Sequence, residues 1–280
     1  MLDREEYIEQ AYFFRTVVER LKENLAMQEL LGSVREEILV TTKLPLAIEY
    51  LLTELKHSGL FAPAMERLSH YFTPFQTFVI REAENERGKF DLRVALAVLR
   101  SEAEYRAGQP TMQAVFLYQF EALCRNRLGY DRGLQAIAGD PIFDPVWREW
   151  VLTVRRQVGM VDLADLIYVR SAHYLAVQAK RQRPAEPERP VLFGEREGRI
   201  ALANRKKAPL LLFAALQRQL GYPAVPLPAP IDLQANLLPQ LARRVEQMDR
   251  RLKLVEEEQK GGIDLSKFYQ PPVKEGGKAE

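Results

Sequence analysis

Glu54 and His57 have a spacing that is suited to metal chemistry. Three positions apart on a helix, a carboxylate and an imidazole share one face, and ferritin-like di-metal bundles use that arrangement. Such sites need the motif twice with two further glutamates, whereas His70 and His173 have no acidic residue three positions before them. We therefore expect no metal site and no cofactor. His57 is expected to donate to carbonyl groups at a helix end instead.

Glu121 is a second candidate, because it lies inside the almost wholly apolar run of residues 112–124. A carboxylate in such a run must be paired or have a perturbed pKa, and perturbed groups concentrate at active sites. The sequence favours a simpler alternative, in which Arg125, four residues on, neutralises it within the helix. Cys124, beside Arg125, is either a thiol of low pKa or, as is more common for a free cysteine, a small buried apolar side chain.

An aromatic run occupies residues 70–75 and is followed by Phe78. It could line a pocket, but aromatic side chains at a corner between helices more often pack in the core, which we expect here. Trp147 and Trp150 are likewise interpreted as core anchors. The sequence contains no nucleophile elbow, Walker loop, dinucleotide fingerprint or H-E-x-x-H motif, and we predict no catalytic residue.

Basic side chains cluster at residues 180–207, where nine Lys and Arg stand against four Glu. Such a cluster is a possible footprint for nucleic acid, since phosphate binding needs suitably placed cations. Acidic residues interrupt it and no aromatic platform accompanies it, so the sequence favours a solvated linker, and we expect no nucleic-acid partner.

Helix starts and stops divide the chain along its length. The candidate residues above are therefore expected to be positioned by helices. Thr73-Pro74, Asp91, Thr111, Asp144-Pro145 and Asp162 are typical helix starts, and the glycines that follow them are typical stops. Gly32-Ser33 is interpreted as a further break. No run of alternating apolar residues is long enough for a strand, so the predicted fold class is all-α.

We predict that residues 1–183 form a bundle of about seven to nine helices, with a solenoid of helix pairs as the alternative. Residues 112–124 and 161–177 are apolar on nearly every face and are expected at its centre. Residues 184–232 form a proline-interrupted arm, with short helices at 195–204 and 209–220.

A coiled-coil helix is predicted at residues 233–260, because apolar residues there alternate at steps of three and four. Arg244 and Arg251 take g positions, and Asp249 and Glu256 take the e positions that face them in a parallel dimer. The seam predicts a homo-oligomer, although it could instead fold back on its own bundle. The six residues assigned to the seam are Leu238, Leu241, Val245, Met248, Leu252 and Val255.

Residues 261–280 are predicted to be a flexible tail that is rich in Gly, Pro, Lys and Glu. One apolar island interrupts this tail, and it is expected to dock either on this protein's own body or on a partner protein. The island consists of Ile263, Leu265, Phe268 and Tyr269.

The composition, 47% apolar and 28% charged over 280 residues, is that of an ordinary globular chain. A net charge of +2 is too small for a general polyanion binder, and a single cysteine excludes an intrachain disulfide. The acidic N-terminus does not resemble a secretory signal and no apolar run is long enough to span a bilayer, so we expect a cytoplasmic protein without a membrane partner.

The favoured function is a non-catalytic, self-associating scaffold. A helical enzyme or ligand-binding protein is the alternative, and a nucleic-acid-associated protein is a weaker one.

Overall fold

A computed structural model describes residues 2–23, 26–85, 90–181 and 189–228, together with Met248. Within these residues the protein is all-α, as the sequence predicts, and no β-strand is formed. Two isolated backbone bridges join Val158 to Val161 and Ser171 to Phe193. The chain divides into two compact units, Met1–Pro228 and Ala229–Glu280. The sequence-based domain boundaries at 183/184, 232/233 and 260/261 lie outside the described residues.

The described part of the first unit contains thirteen α-helices and one 3₁₀ turn, Leu21–Glu23. The helices are α1 Arg4–Arg20, α2 Met27–Glu37, α3 Leu44–Ser58, α4 Ala62–Arg67, α5 Pro74–Ala83, α6 Leu92–Arg106, α7 Met112–Arg125, α8 Tyr130–Ala138, α9 Pro145–Gln157, α10 Leu163–Val169, α11 Ala172–Lys180, α12 Glu195–Ala203 and α13 Pro209–Leu220.

The predicted helix starts are confirmed, whereas Gly129, one of the glycines predicted as stops, lies four residues after the end of α7 and precedes α8. Thr73 forms a capping box with Gln76, in which the Thr73 hydroxyl accepts from the Gln76 N–H and the Gln76 side chain accepts from the Thr73 N–H. Gly59 and Gly221 end α3 and α13 with φ of 72° and 70°, a left-handed conformation that glycine adopts without strain. Side-chain caps also form at Asp91, Thr111, Asp144 and Asp162.

The predicted break at Gly32-Ser33 is wrong, because α2 runs through both residues. Leu31 and Val34 on either side are fully buried, and this packing holds the helix across a glycine that weakens it only modestly. The Ser33 hydroxyl, which was expected to start a new helix, instead accepts a hydrogen bond of 2.7 Å from Arg20 on α1.

The helix that the sequence predicts to begin at Asp162, within the apolar run of residues 161–177, is in fact two helices, α10 and α11, divided at Arg170-Ser171. Ser171 caps α11 by accepting from the Tyr174 N–H, and the Arg170 carbonyl accepts from the Phe193 N–H. No residue of α11 is fully buried, so the expectation that residues 161–177 lie at the centre of the fold is also wrong. Ser171 is a typical N-cap residue and so a local signal for this break, and the returning chain at residues 192–193 adds backbone hydrogen bonds to it.

α7 occupies the centre of the unit, as predicted, and its residues 114–123 are all buried. Aromatic side chains surround it: Phe116 packs edge-on against Trp150 at a centroid distance of 4.8 Å, and Trp147 packs edge-on against Trp150 at 5.3 Å. Both tryptophans are therefore core anchors, as expected.

Packing in this unit joins helices that are distant in sequence. α1 lies along α6, α5 contacts α8, and α7 contacts α13. In a solenoid each repeat contacts only its neighbours, so these pairs argue against the solenoid alternative. The described residues up to 181 hold eleven α-helices, more than the seven to nine expected, because residues 163–180 form two helices and α8 was not anticipated.

The two short helices predicted at 195–204 and 209–220 are confirmed as α12 and α13. α12 packs on α10 and α11, and α13 packs on α7 and α12. Among the residues that the structure describes, no helix combines the length and apolar character needed to cross a membrane.

Candidate functional site

The residues assigned to self-association and docking all fall in the second unit. Met248, a seam residue, is helical, and its side chain is 61% exposed. The remaining nine lie outside the described residues: Leu238, Leu241, Val245, Leu252, Val255, Ile263, Leu265, Phe268 and Tyr269.

Glu121 has structural partners, as the favoured interpretation predicts. Its carboxylate accepts from Arg125 Nε at 2.5 Å and from the Tyr222 hydroxyl at 2.9 Å. Burial, and then the charge of Glu121, raise the pKa of Tyr222, so that hydroxyl keeps its proton and remains a donor. Glu121 therefore connects the central helix α7 to the chain that follows α13.

Cys124 lies beside this pair and is partly buried. Burial raises the pKa of its thiol to about 11, and a hydrogen bond with Tyr130 only partly opposes that rise. The thiol is therefore protonated at neutral pH, which favours the interpretation of Cys124 as a packing residue.

Glu54, the carboxylate of the E-x-x-H pair, accepts a hydrogen bond of 2.8 Å from Arg67. In the described part of the chain, no three side chains of the His, Cys, Asp or Glu types converge as metal ligands would. The Glu54 carboxylate is thus engaged in joining α3 to the end of α4.

The aromatic run at residues 70–75 contributes to both the core and a surface groove. Phe72 and Phe78 are buried, and their edges, with Pro74, line an open groove of about 530 Å³ between α5 and α8. Arg132 on α8 also lines this groove. The charged side chains of the groove include two ion pairs, Arg81 with Glu66 and Arg155 with Asp131.

A second open groove, of about 580 Å³, lies beside α9 and α10, with Trp150 and Leu166 in its apolar wall. Burial, and then the charge of Arg189, lower the pKa of Arg170 at its rim, while Glu149 opposes that effect. Acidic and basic side chains thus share this rim, so the groove does not select one sign of ligand charge.

The basic cluster at residues 180–207 is partly neutralised where the structure describes it. Arg205 forms an ion pair with Asp165, and Arg199 lies 3.5 Å from Glu195. The Lys206 N–H donates to Asp162 at 2.7 Å, which ties the loop after α12 to the start of α10. These contacts favour a structural role for this part of the cluster.

A deeply buried polar cluster in the first unit is one that the sequence did not reveal. Glu102 and Arg106 on α6, Gln119 on α7 and Asp140 after α8 are all buried in the first unit. Arg106 donates to Glu102 Oε1 at 2.8 Å through Nη2, and the same nitrogen also bonds Asp140. Gln119 Nε2 donates to Glu102 Oε1 at 2.7 Å and to Asp140 Oδ2 at 3.0 Å.

The i,i+4 spacing of Glu102 and Arg106 is a visible signal for half of this cluster. Asp140 and Gln119 carry no such signal, because their pairing depends on how α6, α7 and the end of α8 meet in space. We call Glu102, Arg106, Gln119 and Asp140 the buried ionic cluster.

Two further buried carboxylates fix the loop between α2 and α3. Glu9 accepts from the Leu39 N–H at 3.1 Å, and Glu6 accepts from the Lys43 N–H at 2.8 Å. Because both ends of the loop are held by α1, its aliphatic side chains are presented to solvent on a fixed backbone. These exposed side chains and the one that follows on α3 are Leu39, Val40 and Leu46, which are 55%, 91% and 71% exposed.

Comparisons with protein-family models, with curated proteins and with solved structures returned no match to this chain.

Proposed function

We propose that this protein is a non-catalytic cytoplasmic scaffold that associates with itself through the heptad seam at residues 238–255. The seam pattern is the observation that carries the proposal. Its core positions are apolar, and Arg244 and Arg251 would each face an acidic residue, Asp249 or Glu256, across a parallel dimer. In an antiparallel pair the two g positions would face each other and the arginines would repel, so the proposed dimer is parallel.

The first unit supports a structural role in a second way. Its buried carboxylates are used to join elements: Glu121 holds the chain after α13, and Glu6 and Glu9 hold the α2–α3 loop. A carboxylate whose oxygens accept from backbone or side-chain donors of its own fold contributes to rigidity. A rigid helical body that is followed in sequence by an association helix is a form suited to a scaffold.

The apolar tail island is the proposed docking segment for a partner protein. A short apolar segment flanked by polar residues binds partners by ordering on their surface. Self-association would present two or more copies of the segment, which raises the effective concentration for a multivalent partner.

The test is to replace Val245 and Met248 with Asp in the full chain. Two carboxylates at core positions of so short a coiled coil leave buried charges without partners, and we expect the oligomer to dissociate to monomers. Multi-angle light scattering at several concentrations measures the mass directly.

The matched control is Gln240→Asp with Gln247→Asp, which adds the same charge at two c positions, away from the seam. This control should keep the wild-type mass, and circular dichroism should show that both variants retain the helical body. A wild-type chain that is monomeric at high concentration, or a Val245/Met248 variant of unchanged mass, contradicts the proposal.

A further inference from the structure

The buried ionic cluster contains more carboxylates than it can balance if both are ionised. Glu102 and Asp140 share the single guanidinium of Arg106, and the side chains of all three are at most 1% exposed. With both acids ionised, the cluster would bury a net charge of −1, which is strongly unfavourable in a protein interior. One bound proton removes that charge.

The hydrogen bonds indicate which carboxyl group holds the proton. Asp140 uses both oxygens as acceptors: Oδ1 accepts from the Ile142 N–H at 3.1 Å, and Oδ2 accepts from Arg106 and Gln119. Glu102 accepts all of its bonds through Oε1, and its Oε2 is buried without a partner. Asp140 is thus arranged as a carboxylate, and Glu102 has one oxygen free to carry a hydrogen.

Gln119 supplies the complementary acceptor. Its Nε2 already donates to Glu102 Oε1, while its own Oε1 is buried and has no donor. A carboxylic acid and a primary amide can pair through two hydrogen bonds, N–H to C=O and O–H to C=O. A proton on Glu102 Oε2 would convert both unpartnered oxygens into one hydrogen bond.

We infer that Glu102 is a buried proton-binding site, which holds its proton at neutral pH by donating from Oε2 to Gln119 Oε1 while Asp140 balances Arg106. The other titratable or charged groups facing Glu102 leave this assignment unchanged: Tyr7 on α1 lies against the Arg106 guanidinium, and Tyr118 on α7 is a buried neutral phenol. Burial raises the pKa of Glu102; the Arg106 charge opposes that rise and the Asp140 charge adds to it.

The proton couples the stability of the first unit to pH. The native state keeps the proton, whereas the unfolded chain releases it above the ordinary glutamate pKa of about 4.3. The contribution of Glu102 to the stability of the folded state is therefore largest below that pKa, and it is lost as pH rises from there to the native pKa.

Two isosteric variants of the full chain test this assignment. Glu102→Gln reproduces the protonated form, with an N–H in place of the O–H, and should remain folded. Relative to wild type, its ratio of folded to unfolded protein should gain about tenfold per pH unit between pH 5 and the native pKa. Asp140→Asn leaves Glu102 as the only carboxyl group beside Arg106, so Glu102 should ionise in this variant, and the variant should lose the Glu102-dependent fall in stability with rising pH that wild type shows.

Infrared spectroscopy gives a readout that does not depend on stability. The wild-type minus Glu102→Gln difference spectrum at neutral pH should contain the carbonyl band of a protonated carboxylic acid. A difference spectrum with only carboxylate bands overturns the inference, and so does an Asp140→Asn variant whose stability keeps the wild-type dependence on pH. If Asp140→Asn does not fold, the infrared difference and the pH dependence of Glu102→Gln decide the question.

Discussion

The carboxylate of Glu121 receives one hydrogen bond from its own helix and one from Tyr222, 101 residues further along the chain. The first partner, Arg125, is foreseeable from sequence, because residues four apart on a helix are neighbours. The second is not, since it depends on α13 folding back onto α7. Glu102 likewise has one partner, Arg106, that its spacing on the helix predicts. Its other partners, Gln119 and Asp140, could not be predicted from the sequence.

Replacing Tyr222 with Phe tests the distant half of the Glu121 contact. The change removes the donor to Glu121 Oε2 and leaves that buried oxygen without it, so we expect a loss of about 1.5–3 kcal/mol in the free energy of unfolding. Urea titration followed by circular dichroism measures the loss.

Tyr12→Phe is the matched control for this prediction, because the Tyr12 hydroxyl also donates to a glutamate, Glu37, at 2.6 Å. That pair lies at the surface, where water replaces the lost donor, and the control should cost much less. Equal losses in the two variants would show that burial of the Glu121 contact has no energetic importance.

Among the elements, helix starts were predicted better than helix packing. Thr73, Asp91 and Thr111 act through atoms within a few residues, so their signals are local and could be identified from sequence. The break between α10 and α11 was missed because the apolar run continues on both sides of the local N-cap signal at Ser171, and the contacts of Phe193 come from more than 20 residues away. The predicted break at Gly32 is wrong for the opposite reason. Tertiary packing of Leu31 and Val34 overrides the weak preference of glycine against a helix.

The contact between α11 and α12 depends on Gly198. A Cβ at this position would lie 2.5 Å from the Cβ of Ser171 and 2.8 Å from the Cβ of His173, closer than carbon atoms can pack. Gly198→Ala should therefore push α12 away from the start of α11 and destabilise the unit by about 1–3 kcal/mol, measured by thermal or urea unfolding.

Gly32→Ala is the matched comparison in the same unit, and it is expected to stabilise the fold rather than destabilise it. Gly32 lies within α2, and an added Cβ there meets no atom within 4 Å. Because alanine restricts the unfolded chain more than glycine does, this variant should be more stable by about 0.4–1 kcal/mol. If Gly198→Ala is as stable as Gly32→Ala, the close approach of α11 and α12 does not limit the fold.

For the whole molecule, the sequence predicts the all-α class because periodicity and capping act along the entire chain. It does not predict which helices meet. The long-range pairs α1 with α6 and α7 with α13 are set by the fit of buried surfaces, to which every helix contributes. The candidate residues show the same limit. Glu121 was identified with its local partner, whereas the buried ionic cluster, which depends on contacts between helices, was missed.

Shortening the chain to its first unit shows which of the two units is responsible for association. The contacts described above, from α1 to Tyr222, all lie within Met1–Pro228, so a chain ending at Pro228 should keep the helices of this unit and unfold cooperatively.

If the seam joins the subunits, the full chain should melt at a temperature that rises with protein concentration, since association stabilises the folded state by mass action. The shortened chain should be a monomer whose melting temperature is independent of concentration. Calorimetry and light scattering on both chains measure these quantities. A shortened chain that keeps the full-length oligomeric state would move the interface to the first unit, where Leu39, Val40 and Leu46 are the exposed aliphatic side chains to replace first.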